Sequence, residues 1–250
     1  MAGHSKWAQI KRKKGATDAK RGQLFSKLSR AIIVAAREGG PDPSGNLALQ
    51  NAIEKAKEAS MPKDNIERAI ARGAGPSADA AAYETVTYEG YGPAGVAVYV
   101  EAVTDNRNRT AADVRHTFSK SDGSLGESGS VAWLFERRAV LLVGDSADED
   151  ELTLAAAEGG ADEVEREGES WRVTGPPESL GTVRQAVEAA GMNIDSAELT
   201  MVAKTTVELE DESAAKKVLR LMDALEDNDD VQGVYANFDI PEGVLEVVAG

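Results

Sequence analysis

The chain has 250 residues, no cysteine, two histidines and a formal net charge of −15. The absence of cysteine excludes a disulfide framework, a thiol nucleophile and a cysteine zinc site, and two histidines disfavour a histidine-built metal centre. With 42% hydrophobic and 28% charged residues, we expect an ordinary globular protein of one to three domains, without a metal or a cofactor.

Apolar stretches such as Ala31–Ala36 and Ala139–Val143 fall well short of the ~18–20 residues that a membrane span needs. The basic N-terminus is not followed by the apolar core of a signal peptide, because Lys27 and Arg30 interrupt the stretch that would form it. We therefore expect a cytoplasmic protein that does not bind membranes.

The charge is divided unevenly along the chain. Through Gly75 there are 15 Lys and Arg against 7 Asp and Glu, a balance of +8; the other residues hold 13 bases and 36 acids, a balance of −23. Such a division is typical of a protein that binds a polyanion with one segment and repels it elsewhere. The alternative, that surface charge only keeps the protein soluble, explains the acidic part but not the basic one.

Residues 1–22 show little apolar periodicity, so we predict a basic arm that is mobile until it meets a partner. Its cations can neutralise phosphates, and Trp7 can stack on an unpaired base. A solvated tail is the alternative. The density of bases favours nucleic-acid binding, with these candidate contacts: Lys6, Trp7, Lys11, Arg12, Lys13, Lys14, Lys20 and Arg21.

Residues 23–75 have the pattern of a three-helix bundle. One helix is predicted from about Asp18 to Gly39, a second from Asn46 to Ser60 and a third from Pro62 to Gly73. At ~100° per residue the first helix has a basic face beside its apolar stripe. That face adds Lys27 and Arg30 to the candidate nucleic-acid contacts.

The periodicity then changes to alternation, which predicts strands at 83–89 and 96–103 and a helix at 108–120. The order strand, helix, two short strands, helix, strand follows, which is the ferredoxin-like plan. It is predicted at 131–143, 149–158, 163–167, 170–174, 178–190 and 198–203.

A strand at 205–209, a helix at 213–225 and a strand at 234–239 are too few for a separate domain. We expect them to complete an α+β domain made of 83–123 and 204–248, with the ferredoxin-like domain, 131–203, inserted in it. The predicted fold is therefore a multidomain α+β protein that begins with a helical bundle.

The string "TDNRNRT", Thr104–Thr110, lies where a strand ends and a helix begins. Free backbone N–H groups and the helix dipole favour an anion there, so Arg107 and Arg109 are predicted to contact nucleic acid. The alternative is that Asp105 or Asn108 caps the helix while the arginines pair with surface carboxylates.

The remaining motifs favour structural interpretations. "YEGYGPAG" lacks the ending of a phosphate loop and predicts a hairpin turn, although Tyr88 and Tyr91 are possible contact residues. The acidic runs, including Glu226–Asp230, are interpreted as solvated surface. His116 has no serine or cysteine constellation near it in sequence, so no catalytic set is found and an enzyme is not expected.

Several long strings resemble the YebC family, also known as PmpR-type regulators, across essentially the whole chain. They include "AGHSKWAQIKRKKGATDAKRGQLFSKL", "YETVTYEGYGPAGVAVYVEAVTDNRNRT", "SVAWLFER" and "ANFDIPEGVLE". The resemblance implies three domains with an inserted ferredoxin-like domain, and a non-enzymatic cytoplasmic regulator of gene expression. Its bacterial members are named transcriptional regulators, whereas a mitochondrial relative activates translation.

The resemblance also implies a link to the ribosome, because some bacterial members are linked to relief of stalling at proline-rich stretches, and the residues favour RNA over DNA. A basic arm suits threading into ribosomal RNA, and no well-marked recognition helix for a major groove is visible. A DNA-binding transcriptional regulator is the close alternative, followed by a protein-only adaptor or an enzyme. Nothing in the sequence demands a palindromic dimer, so a monomer is slightly favoured.

Overall fold

The computed structural model describes residues 18–75, 83–168 and 170–249. It is a mixed helix and sheet structure, as the sequence predicts: a helical region comes first and two four-stranded sheets follow. Among the described residues, no helix is long and apolar enough to cross a membrane.

The N-terminal region is built from helices α1 (Asp18–Gly39), α2 (Leu47–Glu58) and α3 (Lys63–Ala74). The side chain of Asn46 caps α2 by accepting a hydrogen bond from the Leu49 amide, and its amide group donates to the carbonyls of Ala35 and Gly40. One side chain thus starts the second helix and holds the end of the first. The three helices share an apolar core that includes Ile32, Leu49, Ile53, Ile66 and Ala69.

The middle region contains β1 (Glu84–Tyr91), β2 (Ala97–Thr104), α4 (Arg107–Lys120) and β3 (Ser124–Leu125). Strands β1 and β2 form a hairpin, confirming that "GYGPAG" is a turn, and Gly95 has a φ of 75°, a left-handed conformation that suits glycine. The C-terminal part adds β8 (Val207–Glu208), α7 (Glu212–Glu226), β9 (Val231–Ala236), β10 (Phe238–Asp239) and α8 (Glu242–Ala249).

These two chain segments form one sheet, in the order β3-β1-β2-β9, and share one core with α4 and α7. Two predictions needed correction there. The single strand expected at 234–239 is instead β9 followed by β10, which pairs in parallel with β8. Helix α8 was not predicted; it packs against α7, and its Leu245 is buried in the same core.

The segment between them contains β4 (Phe135–Gly144), α5 (Glu149–Glu158), β5 (Glu163–Glu167), β6 (Ser170–Gly175), α6 (Leu180–Ala189) and β7 (Ile194–Ala203). Its sheet is antiparallel in the order β5-β6-β4-β7, as in ferredoxin-like folds. Strand β4 begins later than predicted, because Ala132–Leu134 forms a short 3₁₀ turn.

A small apolar cluster joins the two sheets. Ala97, Val131 and Phe135 are buried in it, and partly buried residues from both sheets, including Tyr99 and Met201, pack around them. The bundle meets the ferredoxin-like segment through ion pairs between Lys55 and Glu198 (3.3 Å) and between Arg184 and Glu54 (3.8 Å). The exact domain boundaries given above stay a prediction.

Candidate nucleic-acid interface

Most of the predicted arm lies outside the described residues: Lys6, Trp7, Lys11, Arg12, Lys13 and Lys14 precede Asp18. Lys20 lies in the first turn of α1, and Arg21, which follows it, is exposed. The binding roles of these residues therefore stay predictions.

The basic face of α1 packs against the turn that follows α7. Gln23 Nε2 donates to the Asp227 carbonyl (2.6 Å) and to Asp229 Oδ1 (2.9 Å), and the ammonium group of Lys27 donates to the Glu226 carbonyl. One guanidinium nitrogen of Arg30 lies 2.7 Å from the Asp229 carbonyl. Cations at a helix C-terminus complement its dipole, so this contact stabilises the end of α7 as well.

The centre of this contact is Asp230, which is only 4% exposed. Its carboxylate oxygens lie 2.9 Å from Arg30, 2.7 Å from Arg109 and 2.7 Å from the hydroxyl of Thr110. Burial by itself would raise the pKa of Asp230, but the hydrogen bonds from Arg109 and Thr110 and the nearby guanidinium charges hold it below its ordinary value. Asp230 is therefore an ionised hub between two regions of the protein.

The interpretation of Glu226–Asp230 as solvated surface was wrong for Asp230, which is buried, whereas Asp227 and Asp229 are exposed. The run meets the basic face of α1, and Asp230 is buried among cationic and hydroxyl groups. Sequence reasoning also missed Gln23 and Thr110. A usable signal existed for Gln23: it lies four residues before Lys27 and seven before Arg30, on one helical face.

The two arginines predicted to contact nucleic acid, Arg107 and Arg109, both lie in the first turn of α4 but have different surroundings. Helix α4 is capped by Asn106, whose side chain accepts from the Arg109 amide (3.1 Å), rather than by Asp105 or Asn108 as considered above. The Arg109 guanidinium contacts Asp105 (2.9 Å) and Asp230 (2.7 Å), and hydrogen bonds to these two carboxylates raise its pKa.

Arg107 lies apart from this network. Its side chain is 65% exposed, and its guanidinium lies 3.9 Å from the carboxylate of Glu84. The two arginines therefore do not converge on one pocket: Arg109 pairs with carboxylates, as the alternative interpretation has it, and Arg107 faces outward. Their contacts with nucleic acid stay predictions.

No group of three or more His, Asp or Glu side chains within the described ranges, 18–75, 83–168 and 170–249, could hold a metal ion. The chemistry that this surface offers is therefore charge complementarity and hydrogen bonding. Basic residues lie in the N-terminal region, and a buried acidic hub ties the first helix to the middle sheet.

Comparisons with known proteins identify the family. The family model described as "TACO1/YebC protein N-terminal domain" matches residues 5–76, and the one described as "TACO1/YebC second and third domain" matches residues 83–238. The chain belongs to the TACO1/YebC family. Its resemblance to YebC proteins, inferred above from long strings, is thereby confirmed.

Relatives in the TACO1/YebC family match over the full length. The chain is 61% identical to a protein of Rubrobacter xylanophilus, over 100% of both chains, and that protein is named "probable transcriptional regulatory protein". A protein of Halothermothrix orenii with the same name is 55% identical, over 99% of both chains.

A solved structure has the same fold. It is the crystal structure of a conserved hypothetical protein from Aquifex aeolicus, 50% identical, which superimposes with a TM-score of 0.80. The match covers 90% of this chain and 93% of that one. The fold of the TACO1/YebC protein described here is therefore shared with an experimental structure.

Proposed function

We propose that the protein is a non-enzymatic, nucleic-acid-binding regulator of gene expression that acts on RNA at the ribosome. The observation that carries this proposal is the division of charge, +8 through Gly75 against −23 in the other residues. Cations concentrated in one segment bind phosphates, and a strongly acidic remainder repels a polyanion except where a local cation offsets that charge.

The contact between α1 and the turn that follows α7 fixes the position of α1 relative to the middle region. Gln23, Lys27 and Arg30 hold α1 against the middle region. We propose that direct contacts come from the arm, Arg21 and Arg107. Lys27, Arg30 and Arg109 already bind carbonyl and carboxylate groups of the protein, and these groups compete with a phosphate for them.

We propose RNA because the cations of the arm suit phosphate binding and the sequence shows no well-marked base-reading helix. The resemblance to bacterial family members linked to relief of ribosome stalling at proline-rich stretches supports that specific role in the cytoplasm. A second candidate is a DNA-binding transcriptional regulator. The names of the relatives from Rubrobacter xylanophilus and Halothermothrix orenii favour that candidate. We propose a monomer in either case.

The deciding experiment crosslinks the full chain to nucleic acid in cells and sequences what is bound. Enrichment of ribosomal RNA supports the proposal, and enrichment of promoter DNA supports the second candidate. A variant in which Lys11, Arg12, Lys13 and Lys14 are all changed to Gln is the control and should lose the crosslinks. Recovery of neither nucleic acid would refute both functions.

A further inference from the structure

Trp133 is the most exposed large hydrophobic side chain of the described residues, at 65%. It cannot turn inward, because Val131 and Phe135 on either side of it fill the buried cluster between the two sheets. Its indole N–H donates to the Ser130 carbonyl (3.2 Å). The polar edge of the ring is thus satisfied within the protein, and an apolar ring surface is left to solvent.

A second aromatic side chain is fixed beside it. The hydroxyl of Tyr91, at the end of β1, donates to the same Ser130 carbonyl (3.2 Å), and the residue is 38% exposed. One backbone oxygen therefore orients both rings. Aromatic side chains held in this way provide contact area at little cost in conformational entropy.

The backbone under the two rings is clamped by Glu89, which is only 4% exposed. One carboxylate oxygen accepts from the Gly129 amide (2.7 Å), and the other accepts from the Val131 (2.8 Å) and Ala132 (2.7 Å) amides. Burial would raise the pKa of Glu89, yet these three backbone hydrogen bonds hold it below its ordinary value. The Trp133 segment is thus preorganised.

The cationic residue Lys204, which directly follows β7, lies on the segment adjacent to Trp133. The Lys204 amide donates to the Leu134 carbonyl (2.8 Å), which places Lys204 next to the Trp133 segment, and its side chain is exposed. It makes no ion pair with any residue that the structure describes. An exposed aromatic ring with an exposed lysine on the adjacent segment suits a base and its phosphate.

We propose that Trp133, with Tyr91 and Lys204 beside it, binds an unpaired base of a single-stranded nucleic acid. This inference rests on the proposed nucleic-acid function and adds a stacking site at Trp133, whereas the sequence alone indicated only Tyr91 as a contact residue. A protein partner fits less well. Stable protein interfaces bury ~800 Å² on each side, whereas the segment next to these rings, Gly126–Gly129, consists of small and polar residues.

The test uses the full chain and two fluorescent 12-mers: oligouridylate, and an abasic strand with the same number of phosphates. Trp133→Ala should weaken oligouridylate binding by about 5- to 150-fold, with an unchanged salt slope, while Trp133→Phe keeps most of the affinity. Binding of the abasic strand should be the same for all variants. The matched control is Leu154→Ala, which removes an equally exposed apolar side chain (64%) elsewhere.

Different results overturn different claims. If the wild-type chain binds neither strand at low salt, the proposed nucleic-acid function fails, and the stacking site fails with it. If the wild type binds oligouridylate and Trp133→Ala binds equally well, only the stacking site fails. Loss of ribosome co-sedimentation by that variant, with unchanged oligouridylate binding, would assign Trp133 to a protein contact and overturn the inference.

Discussion

The guanidinium group of Arg30 in the first helix lies 2.9 Å from the carboxylate of Asp230, 200 residues further along the chain. Arg109 contacts the other oxygen of the same carboxylate (2.7 Å). The middle sheet and the N-terminal bundle therefore share one buried anion. Removing either arginine leaves that anion with fewer partners, so their charges contribute to folding as well as to any contact with nucleic acid.

The first prediction concerns the Arg30–Asp230 pair. A double-mutant cycle with Arg30→Ala and Asp230→Ala should give a coupling energy of about 1–3 kcal/mol in urea unfolding, because Asp230 is buried. The control cycle uses Lys63 and Glu67, an ion pair 3.4 Å apart on one exposed helix face, where coupling should stay below about 0.5 kcal/mol. Equal coupling in the two cycles would show that the hub is not a stabilising contact.

The second prediction concerns the stability of the fold at low pH. The pKa values of Asp230 and Glu89 are both lower in the folded protein than their ordinary values. The stability that they contribute is therefore present above pH ~4 and is lost as the pH falls through their folded pKa values. Thermal melting between pH 7 and 3 should show a steeper loss for the wild type than for Asp230→Asn. Parallel curves would exclude Asp230 from this acid response.

The third prediction separates Arg107 from Arg109. If both arginines only contacted nucleic acid, as the sequence predicts, replacing them together would change stability little, because exposed arginines contribute little to it. The structure changes this expectation: Arg109→Ala should lower the melting temperature because it removes a partner of buried Asp230, whereas Arg107→Ala should not. Ribosome co-sedimentation of the stable Arg107→Ala variant then tests its contact with RNA. Undiminished association would remove Arg107 from the interface.

The fourth prediction concerns the arm. If about five of its cations contact phosphates, the logarithm of the affinity for a single strand should fall against log salt with a slope near −3.5. Deleting the residues before Gly22 should flatten this slope and leave the melting temperature nearly unchanged, because Gln23, Lys27 and Arg30 are retained. An affinity that does not depend on salt would contradict phosphate binding by the arm.

The fifth prediction separates stacking from charge in the arm. Trp7→Ala should cost about 1–3 kcal/mol of binding energy if the indole stacks on a base, with the salt slope unchanged. Trp7→Phe is the matched control and should retain most of the affinity. The measurement is fluorescence anisotropy with a single-stranded oligonucleotide. An unaltered affinity for Trp7→Ala would make Trp7 an incidental residue of the arm.

Much of the architecture was accessible from local patterns. Spacings of three and four residues predicted α1, α2 and α3, and alternation predicted the hairpin of β1 and β2, because helix and strand periods are properties of a few adjacent residues. The ferredoxin-like order followed from the succession of such segments. Helix α8 was not predicted, because the short segment from Gly243 to Val248 is stabilised by packing against a core built by strands far away in the chain.

The sequence by itself determined the order of the elements and the concentration of positive charge near the N-terminus. Only the tertiary structure decided which charged side chains pair within the protein and which remain exposed to a partner. It brings Glu226–Asp230 onto the basic face of α1, pairs Arg109 with buried Asp230 while Arg107 lies apart from that carboxylate, and holds Trp133 at the surface. The physical reason is the separation along the chain of the residues that interact. Helical and strand periods are encoded within a few adjacent residues, whereas ion pairs and burial depend on contacts between segments far apart in the chain.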